Sequence, residues 1–444
     1  MTRFDGTRLP PAQLALDYDG HRRGRYADRY FENIRHMLAT LSAQGYTYTG
    51  AHATRTDNPT GTPIGDLPVE MQWFTRHPGR TLVAGVDVAL AILRECSGYF
   101  DADGQFVNTA AELDIAAVHD GDWVTYSGDP RNVQPVIRVR GRYRDFALHE
   151  TATLGVLSRA SRIATQVYHV LNAARGKPVL FFPARFDLAE VQSTDGYAYQ
   201  LAVQRFHADT GHTLTPFVST EAQGAWWGGH GVGTIAHAAI AAFFGDTPET
   251  MLAFAATVDP AIPRIALVDF NNDSIGDALA VMTALFDRYR QYSDAGDEST
   301  ARRYILKGIR LDTSSSLRDV SLPPLGDKAL DLGVNARLVF TARAALDSAW
   351  QRWNLPPKWQ ARAADYCRNV QIVVSGGFNV EKITRFEQLG APVDVYGVGS
   401  SLFSNDTSFD FTADVVRAYV HGQWQSVAKV GRQPGDNPLL ERVG

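Results

Sequence analysis

Two glycine-rich segments lie close together near the end of the chain, Ser375-Gly376-Gly377 and Gly397-Val398-Gly399-Ser400. Loops this poor in side chains leave backbone N–H groups free to face a phosphate, and helix N-termini beside them favour negative charge. Two ordinary turns that need glycine only for backbone geometry are the plainer alternative. Their recurrence in tandem favours phosphate. Elsewhere, polar residues follow short apolar runs. Arg185 comes after Phe181-Phe182, and Ser219, Thr220 and Glu221 after Phe217-Val218. Asp269, Asn271 and Asp273 come after Leu267-Val268, while Arg310, Asp312, Thr313 and Ser314 cluster around Ile309-Leu311. Arginine's planar fork matches carboxylate or phosphate, an aspartate accepts two ribose hydroxyls, and carboxylates with water suit Mg²⁺. The set suits an anionic, polyhydroxylated ligand carried with a divalent cation, with Asp269 and Asp273 as candidate Mg²⁺ ligands.

His237 stands in Gly231-Val232-Gly233-Thr234-Ile235-Ala236-His237. With Thr234 as N-cap it takes the third position of a helix predicted over 235–244. There the helix field disfavours a charged imidazole and stabilises a phosphoryl group attached to it. A neutral histidine so placed can serve as a phosphate-accepting nucleophile. A capping or packing histidine is the common alternative for a single residue in a first turn.

The elements that must position these residues are serial. Strands are predicted over 179–182, 215–218, 265–268, 308–311, 372–374 and 393–396, with helices over 192–206, 235–244, 275–289, 338–350 and 380–389. Asn379 is the expected N-cap of the last helix. Such βα repetition predicts an α/β fold, a parallel sheet wound into an irregular (β/α) barrel. Strand C-termini carry the chemistry of such barrels, and the phosphate site commonly follows the last strands. Residues 1–145 read instead as an α+β domain with an antiparallel sheet, continued by part of a helical stretch over 146–176. The barrel is expected over 177–415, and 416–444 as a tail packing back on the N-terminal domain. Segments 291–303 and 351–366, charged and turn-rich, read as insertions. The basic run His21-Arg22-Arg23-Gly24-Arg25 is an anion contact or, more simply, a solvated turn. The Trp226-Trp227 loop is a lid or a packed surface loop.

The chain has 444 residues and a net charge of -5, so nothing in its overall charge advertises nucleic acid. Two cysteines, Cys96 and Cys367, give no disulfide framework, which fits a reducing compartment. The first residues lack the apolar core of a signal peptide, and no run approaches the roughly 20 apolar residues of a membrane span. The expectation is a cytoplasmic protein that meets neither membrane nor nucleic acid.

Taken in order, several motifs resemble those of the nicotinate phosphoribosyltransferase family, among the type II phosphoribosyltransferases. They are Gly233-Thr234-Ile235-Ala236-His237, Gly308-Ile309-Arg310-Leu311-Asp312-Thr313, Val374-Ser375-Gly376-Gly377 and Tyr396-Gly397-Val398-Gly399-Ser400. Upstream, the segment from Gly24 to Phe31, the stretch from Phe146 to Ser158, and Phe182-Pro183-Ala184-Arg185 extend the similarity to about residues 24–405. The resemblance implies transfer of phosphoribose from 5-phosphoribosyl 1-pyrophosphate to nicotinate, coupled to ATP, in a homodimer with shared active sites. It implies that His237 is transiently phosphorylated by ATP and that Arg185 faces the nicotinate carboxylate with Phe182 near the ring. Arg310 and Asp312 would meet the ribosyl phosphate, Asp312 at the hydroxyls. Gly376, Gly377, Gly397 and Gly399 would cradle the 5-phosphate with Ser375 and Ser400 beside them. Asp28 and Tyr30 would reach the partner subunit's site. The chain departs from the family in Ser314-Ser315-Ser316 after Thr313 and in Phe270 where a threonine is usual, and it lacks the zinc-binding cysteine tail of some archaeal relatives. Quinolinate or nicotinamide as the accepted base, or a non-catalytic nucleotide-binding barrel, are the competing readings.

Overall fold

The computed structural model describes residues 7–233, 235–404 and 408–443. The chain divides into two compact units. One runs to Tyr168 and takes in Ser193–Thr210 and the chain beyond residue 404; the other comprises His169–Gln192 and Gly211–Ser404.

The second unit is built on six parallel strands: β1 (Val179–Phe181), β2 (Phe217–Val218), β3 (Arg264–Leu267), β4 (Leu306–Leu311), β5 (Gln371–Val374) and β6 (Val395–Val398). Their lateral order is β3-β4-β5-β6-β1-β2. That is the cyclic order of a barrel cut once, between β2 and β3. The strands are short apolar runs, and Ile309, Leu311, Ile372, Val373, Val374, Tyr396 and Val398 are all buried, as expected where helices cover a parallel sheet. Register aligns the strand ends: Leu267 pairs with Arg310, Leu311 with Val374, Val398 with Phe181, and Phe181 with Val218. Every C-terminus therefore opens at the same edge. One buried network braces β6, in which Tyr396 Oη and Lys177 Nζ, 2.5 and 2.7 Å away, share Glu387 Oε1.

Two expectations change here. The last strand, expected over 393–396, runs from Val395 to Val398, so Gly397 and Val398 belong to the ladder and only Gly399 begins the turn. Segment 351–366, read as an insertion, contains most of a helix, Pro357–Arg368, whose Trp359, Ala363, Tyr366 and Cys367 are buried. Cys367 and Cys96 are both free thiols.

The first unit holds an antiparallel sheet around Pro68–Thr75, flanked by Phe411–Val420 on one side and Ile137–Arg142 on the other. The boundary expected at residue 415 falls inside Phe411–Val420, because that strand pairs along its length with Pro68–Thr75. Buried Glu70 on the central strand is neutralised from both neighbours, by Arg140 at 2.6 Å and Arg417 at 2.7 Å. The basic run near the N-terminus is consumed locally: Arg22 donates to the Glu95 carbonyl, Arg23 pairs with Asp19 and Arg25 with Asp17. No helix among the described residues is long and apolar enough to cross a membrane.

Candidate functional site at the strand ends

The first residues beyond the strands form a ring: Phe182 after β1, Ser219 after β2, Asp312 after β4, Ser375 after β5 and Gly399 after β6. Asp269 stands two residues beyond β3.

The glycine turn after β5 is the most defined part. Gly376 and Gly377 have φ of 84° and 70°, a conformation that suits glycine and costs other residues roughly 1 kcal/mol or more each. Both are exposed. Asn379 then caps the helix Val380–Gln388, its side chain accepting from Lys382 N at 2.9 Å; such a cap is worth about 1 kcal/mol. Ser375 Oγ donates to Asp312 Oδ1 at 2.7 Å, and a Cβ on Gly376 would sit 3.3 Å from that same oxygen. The turn after β6 is tied to this one, because Ser401 Oγ donates to the Phe378 carbonyl at 2.7 Å. The two glycine turns thus share one corner.

Gly397 is not part of a phosphate cradle. It is buried within β6, where a methyl group would lie 3.0 Å from Phe182 Cε2 and 3.2 Å from Ser375 Cβ. Glycine is required there so that the Phe182 ring can approach. At Gly399 the crowding comes from Phe186 Cε2, 2.8 Å from a would-be Cβ.

Two arginines face this corner. Arg310, on β4, is 19 % exposed; its only ion pair among the described residues is a long 3.9 Å contact with Asp312 Oδ2, and its buried Nε has no hydrogen-bond partner. Its guanidinium lies 6.0 Å from the centre of the Phe182 ring. Burial lowers its pKa; the carboxylates of Asp312 and Asp269 oppose that shift, and the positive charge of Arg185 adds to it. Arg185 is exposed in the one-turn helix Pro183–Phe186 and has no carboxylate partner among the described residues. Two cations with so little compensation suit an anionic ligand.

His237 opens a short helix, His237–Ala242, whose N-cap is Ala236 without a side-chain cap bond. It therefore occupies the first helical position, not the third, and Thr234, the expected cap, lies outside the described residues. Its Nε2 is 3.0 and 3.1 Å from the two oxygens of Asp269. The carboxylate is 8 % exposed and the imidazole 43 %. Burial raises the pKa of Asp269, opposed by His237 and reinforced by the charge of Asp312. The Phe270 ring lies 6.4 Å from the imidazole, tilted by 35°.

Several expected contacts are spent on local structure. Thr220 caps the short helix Glu221–Gly224 in a capping box, and Ser219 N and Oγ both reach Gln223 Oε1. Asp273 caps Ser274–Asp294, its Oδ1 accepting from Gly276 N at 2.9 Å, so one of its two oxygens is spent on the helix. Thr313 is 3 % exposed, its Oγ1 3.5 Å from Ser274 Oγ, and belongs to the interior. Of the Trp226-Trp227 loop, Trp226 is buried and Trp227 Nε1 donates to the Gln223 carbonyl, so the loop is packed. Ser400 is exposed at the start of the turn after β6. Asp28 and Tyr30 lie in the other unit, where Asp28 Oδ2 accepts from Tyr30 Oη at 3.1 Å and Thr151 Oγ1 at 3.0 Å.

One residue of this corner is absent from the sequence-based expectations. Lys382, on the first turn of Val380–Gln388, reaches back to the glycine turn and donates to the Gly376 carbonyl at 3.2 Å. A cation in a first helical turn opposes the helix dipole, and that was the available signal.

No group of three or more His, Cys, Asp or Glu side chains placed to hold a metal occurs among the described residues. Mg²⁺ that arrives on phosphate oxygens needs only one or two carboxylates. Asp312 stands close enough to Asp269 for its charge to raise that residue's pKa.

Comparison with known proteins bears on each unit. The sequence model of the family described as quinolinate phosphoribosyl transferase, N-terminal domain, matches residues 52–161, within the first unit. The whole chain is similar to the nicotinate-nucleotide pyrophosphorylase of Pyrococcus furiosus, with a TM-score of 0.60 and 24% identity over 95% of this chain and 81% of that one. It is similar to human nicotinic acid phosphoribosyltransferase with a TM-score of 0.55 and 18% identity, over 90% of this chain and 75% of that one. At these identities the likeness establishes a shared fold, an antiparallel α/β unit joined to a curled parallel sheet.

Proposed function

We propose that this chain is a phosphoribosyltransferase of pyridine nucleotide synthesis, transferring phosphoribose from 5-phosphoribosyl 1-pyrophosphate to nicotinate. The observation that carries it is the pair Arg185 and Arg310, poorly compensated, beside Asp312 and the exposed Gly376-Gly377 turn. Such a corner supplies main-chain amides for a 5-phosphate, a carboxylate for sugar hydroxyls and a guanidinium for the base's carboxylate. Phe182, beside Arg310 and Gly397, offers an aromatic face for the ring.

In the reaction the pyridine nitrogen's lone pair forms a bond to the anomeric carbon. The bond from that carbon to the pyrophosphate oxygen breaks, and its electron pair leaves with pyrophosphate. The nitrogen carries no proton at neutral pH, so no general base is required. The protein's work is alignment and stabilisation of charge in an oxocarbenium-like transition state. Mg²⁺ held by Asp269 and Asp312 would neutralise charge on the departing pyrophosphate.

The His237–Asp269 pair supports coupling to ATP. A carboxylate against Nε2 favours the proton on that nitrogen and leaves Nδ1 with its lone pair, the form able to accept a phosphoryl group. Nδ1 would attack the terminal phosphorus of ATP, ADP would leave, and water would later cleave the phosphohistidine.

A second reading has its own support. The match of residues 52–161 to a quinolinate family, and two adjacent arginines, favour a base with two carboxylates. Parallel assays of nicotinate, nicotinamide and quinolinate with 5-phosphoribosyl 1-pyrophosphate and Mg²⁺, each with and without ATP, decide between them. Nicotinate consumption stimulated by ATP is the expected result; carbon dioxide release from quinolinate, indifferent to ATP, would establish the second reading. Failure of all three bases would overturn both. Shared active sites in a homodimer, with Asp28 and Tyr30 of one copy serving the other, are part of the same proposal.

A further inference from the structure

Lys382 occupies the third position of the helix Val380–Gln388, where the helix field is least hospitable to a cation. Its ammonium lies 4.2 Å from the centre of the Phe378 ring and 6.0 Å from that of Phe386. Its hydrogen bond to the Gly376 carbonyl, at 3.2 Å, uses one of three N–H donors. No ion pair involves it among the described residues, although lysines 177 and 358 of the same unit each have a carboxylate at 2.7 Å. The charged residues of its own helix nearest in sequence are Glu381 and Arg385; Asp312 borders Gly376 on the turn and is already bonded to Ser375. Burial alone lowers its pKa to about 8.

We propose that Lys382 is the counter-ion of the ligand phosphate at the Gly376-Gly377 turn, a role that rests on the phosphoribosyl function proposed above. In the free protein the lysine is held over the turn by the Gly376 carbonyl and the Phe378 ring, with two N–H donors unspent. A phosphate bound by the main-chain amides of that turn supplies the missing negative charge and makes the protonated amine favourable. Charge on the ligand and charge on the lysine are therefore linked. Uptake of a phosphate monoester favours the protonated lysine, and deprotonation of the lysine weakens the ester's binding. A purely structural lysine, tying the turn to the helix, would show neither effect.

Ribose 5-phosphate is the probe, titrated calorimetrically into the full chain at pH 7.0 and pH 9.5. Its phosphate, with a second pKa near 6, is close to fully ionised throughout, so any loss of affinity arises on the protein. The wild-type chain should bind at least about tenfold more weakly at pH 9.5 than at pH 7.0. Lys382→Met should weaken binding at pH 7.0 by about tenfold or more and flatten the pH dependence. Lys382→Arg should restore most of the affinity and, with its permanent charge, be insensitive to pH. A Met variant that binds and titrates like wild type would overturn the role of Lys382 while leaving the phosphate site intact. A wild-type chain that does not bind ribose 5-phosphate at all would overturn the phosphoribosyl function together with it. Should the Met variant not fold, acetylation of Lys382 in the wild-type chain, quantified by mass spectrometry, decides the same question. Ribose 5-phosphate protects the amine if the proposal holds, and leaves its labelling unchanged if it does not.

Discussion

Asp269 presents both carboxylate oxygens to one nitrogen of His237, at 3.0 and 3.1 Å. The pair joins residues 32 positions apart in the chain, one opening a short helix and the other just past β3. A carboxylate in that position fixes the ring and its tautomer, so loss of either residue should impair the same step.

The expected outcome is impaired ATP-dependent labelling in either mutant, complete for the histidine and partial for the aspartate. With ATP carrying a radioactive terminal phosphate, the wild-type chain should acquire an acid-labile, base-stable label that His237→Ala lacks entirely. Asp269→Asn should reduce the rate of labelling by about 10²-fold or more, as expected when the orienting carboxylate of a histidine is neutralised. Equal labelling in wild type and His237→Ala would remove the histidine from the chemistry.

Arg185→Ala should raise the KM for nicotinate by at least about tenfold while leaving that for 5-phosphoribosyl 1-pyrophosphate within about twofold, since one charge-assisted contact to the base carboxylate is lost. Steady-state kinetics with each substrate varied in turn would check this. Equal effects on both constants would place the guanidinium on the sugar phosphate instead.

Gly397→Ala should lower stability by about 1–3 kcal/mol, because the added methyl meets Phe182 at 3.0 Å within a ladder-paired strand. Since Phe182 must give way, kcat should fall as well. Thermal unfolding together with kinetics tests both, and an Ala variant as stable and active as wild type would show that the close approach is not needed.

Glu150 has its pKa raised from 4.5 to about 7, first by burial and then by the carboxylates of Asp414 and Asp28. A carboxyl that holds its proton more tightly when folded stabilises the native state fully below its unfolded pKa. That contribution is lost as pH rises from about 4.5 through about 7. Above this window ionised Glu150 costs on the order of 1–2 kcal/mol after screening by solvent. Glu150→Gln should therefore raise Tm at pH 8 relative to wild type and have little effect at pH 4.5. Parallel pH profiles for the two proteins would contradict this.

The six strands of the parallel sheet are readable in the sequence because each is a short apolar run buried by helices, and Asn379 is readable because an N-cap is a local property of a few residues. The cap also locates the glycine turn in front of it. What stays hidden depends on direction and packing. A hydroxyl or carboxylate just past a strand end is equally suited to a ligand and to the next helix's free amides. Thr220 and Asp273 take the second course. The last strand is expected two residues early because Gly397 looks like a turn residue, whereas glycine serves there to admit Phe182. Trp359 and Tyr366 are seven residues apart on one buried face, but the charges between them mask the helix. Asp269 is legible as a polar strand end, yet its partner is not, since nothing local joins positions 32 apart.

The cut in the barrel between β2 and β3 has a mechanical meaning. On the rim, Phe182 N donates to the Val398 carbonyl and Ser375 N to the Leu311 carbonyl, and Ser375 Oγ in turn holds Asp312. The 45 residues between Val218 and Arg264 have no strand among the described residues and only one bridge, from Val218 to Gly231; His237 rides on that stretch. Asp269 is what anchors its imidazole to the rim. Lengthening or shortening the tether should thus retune the proposed energy-coupling step while the proposed hold on the sugar stays as it was.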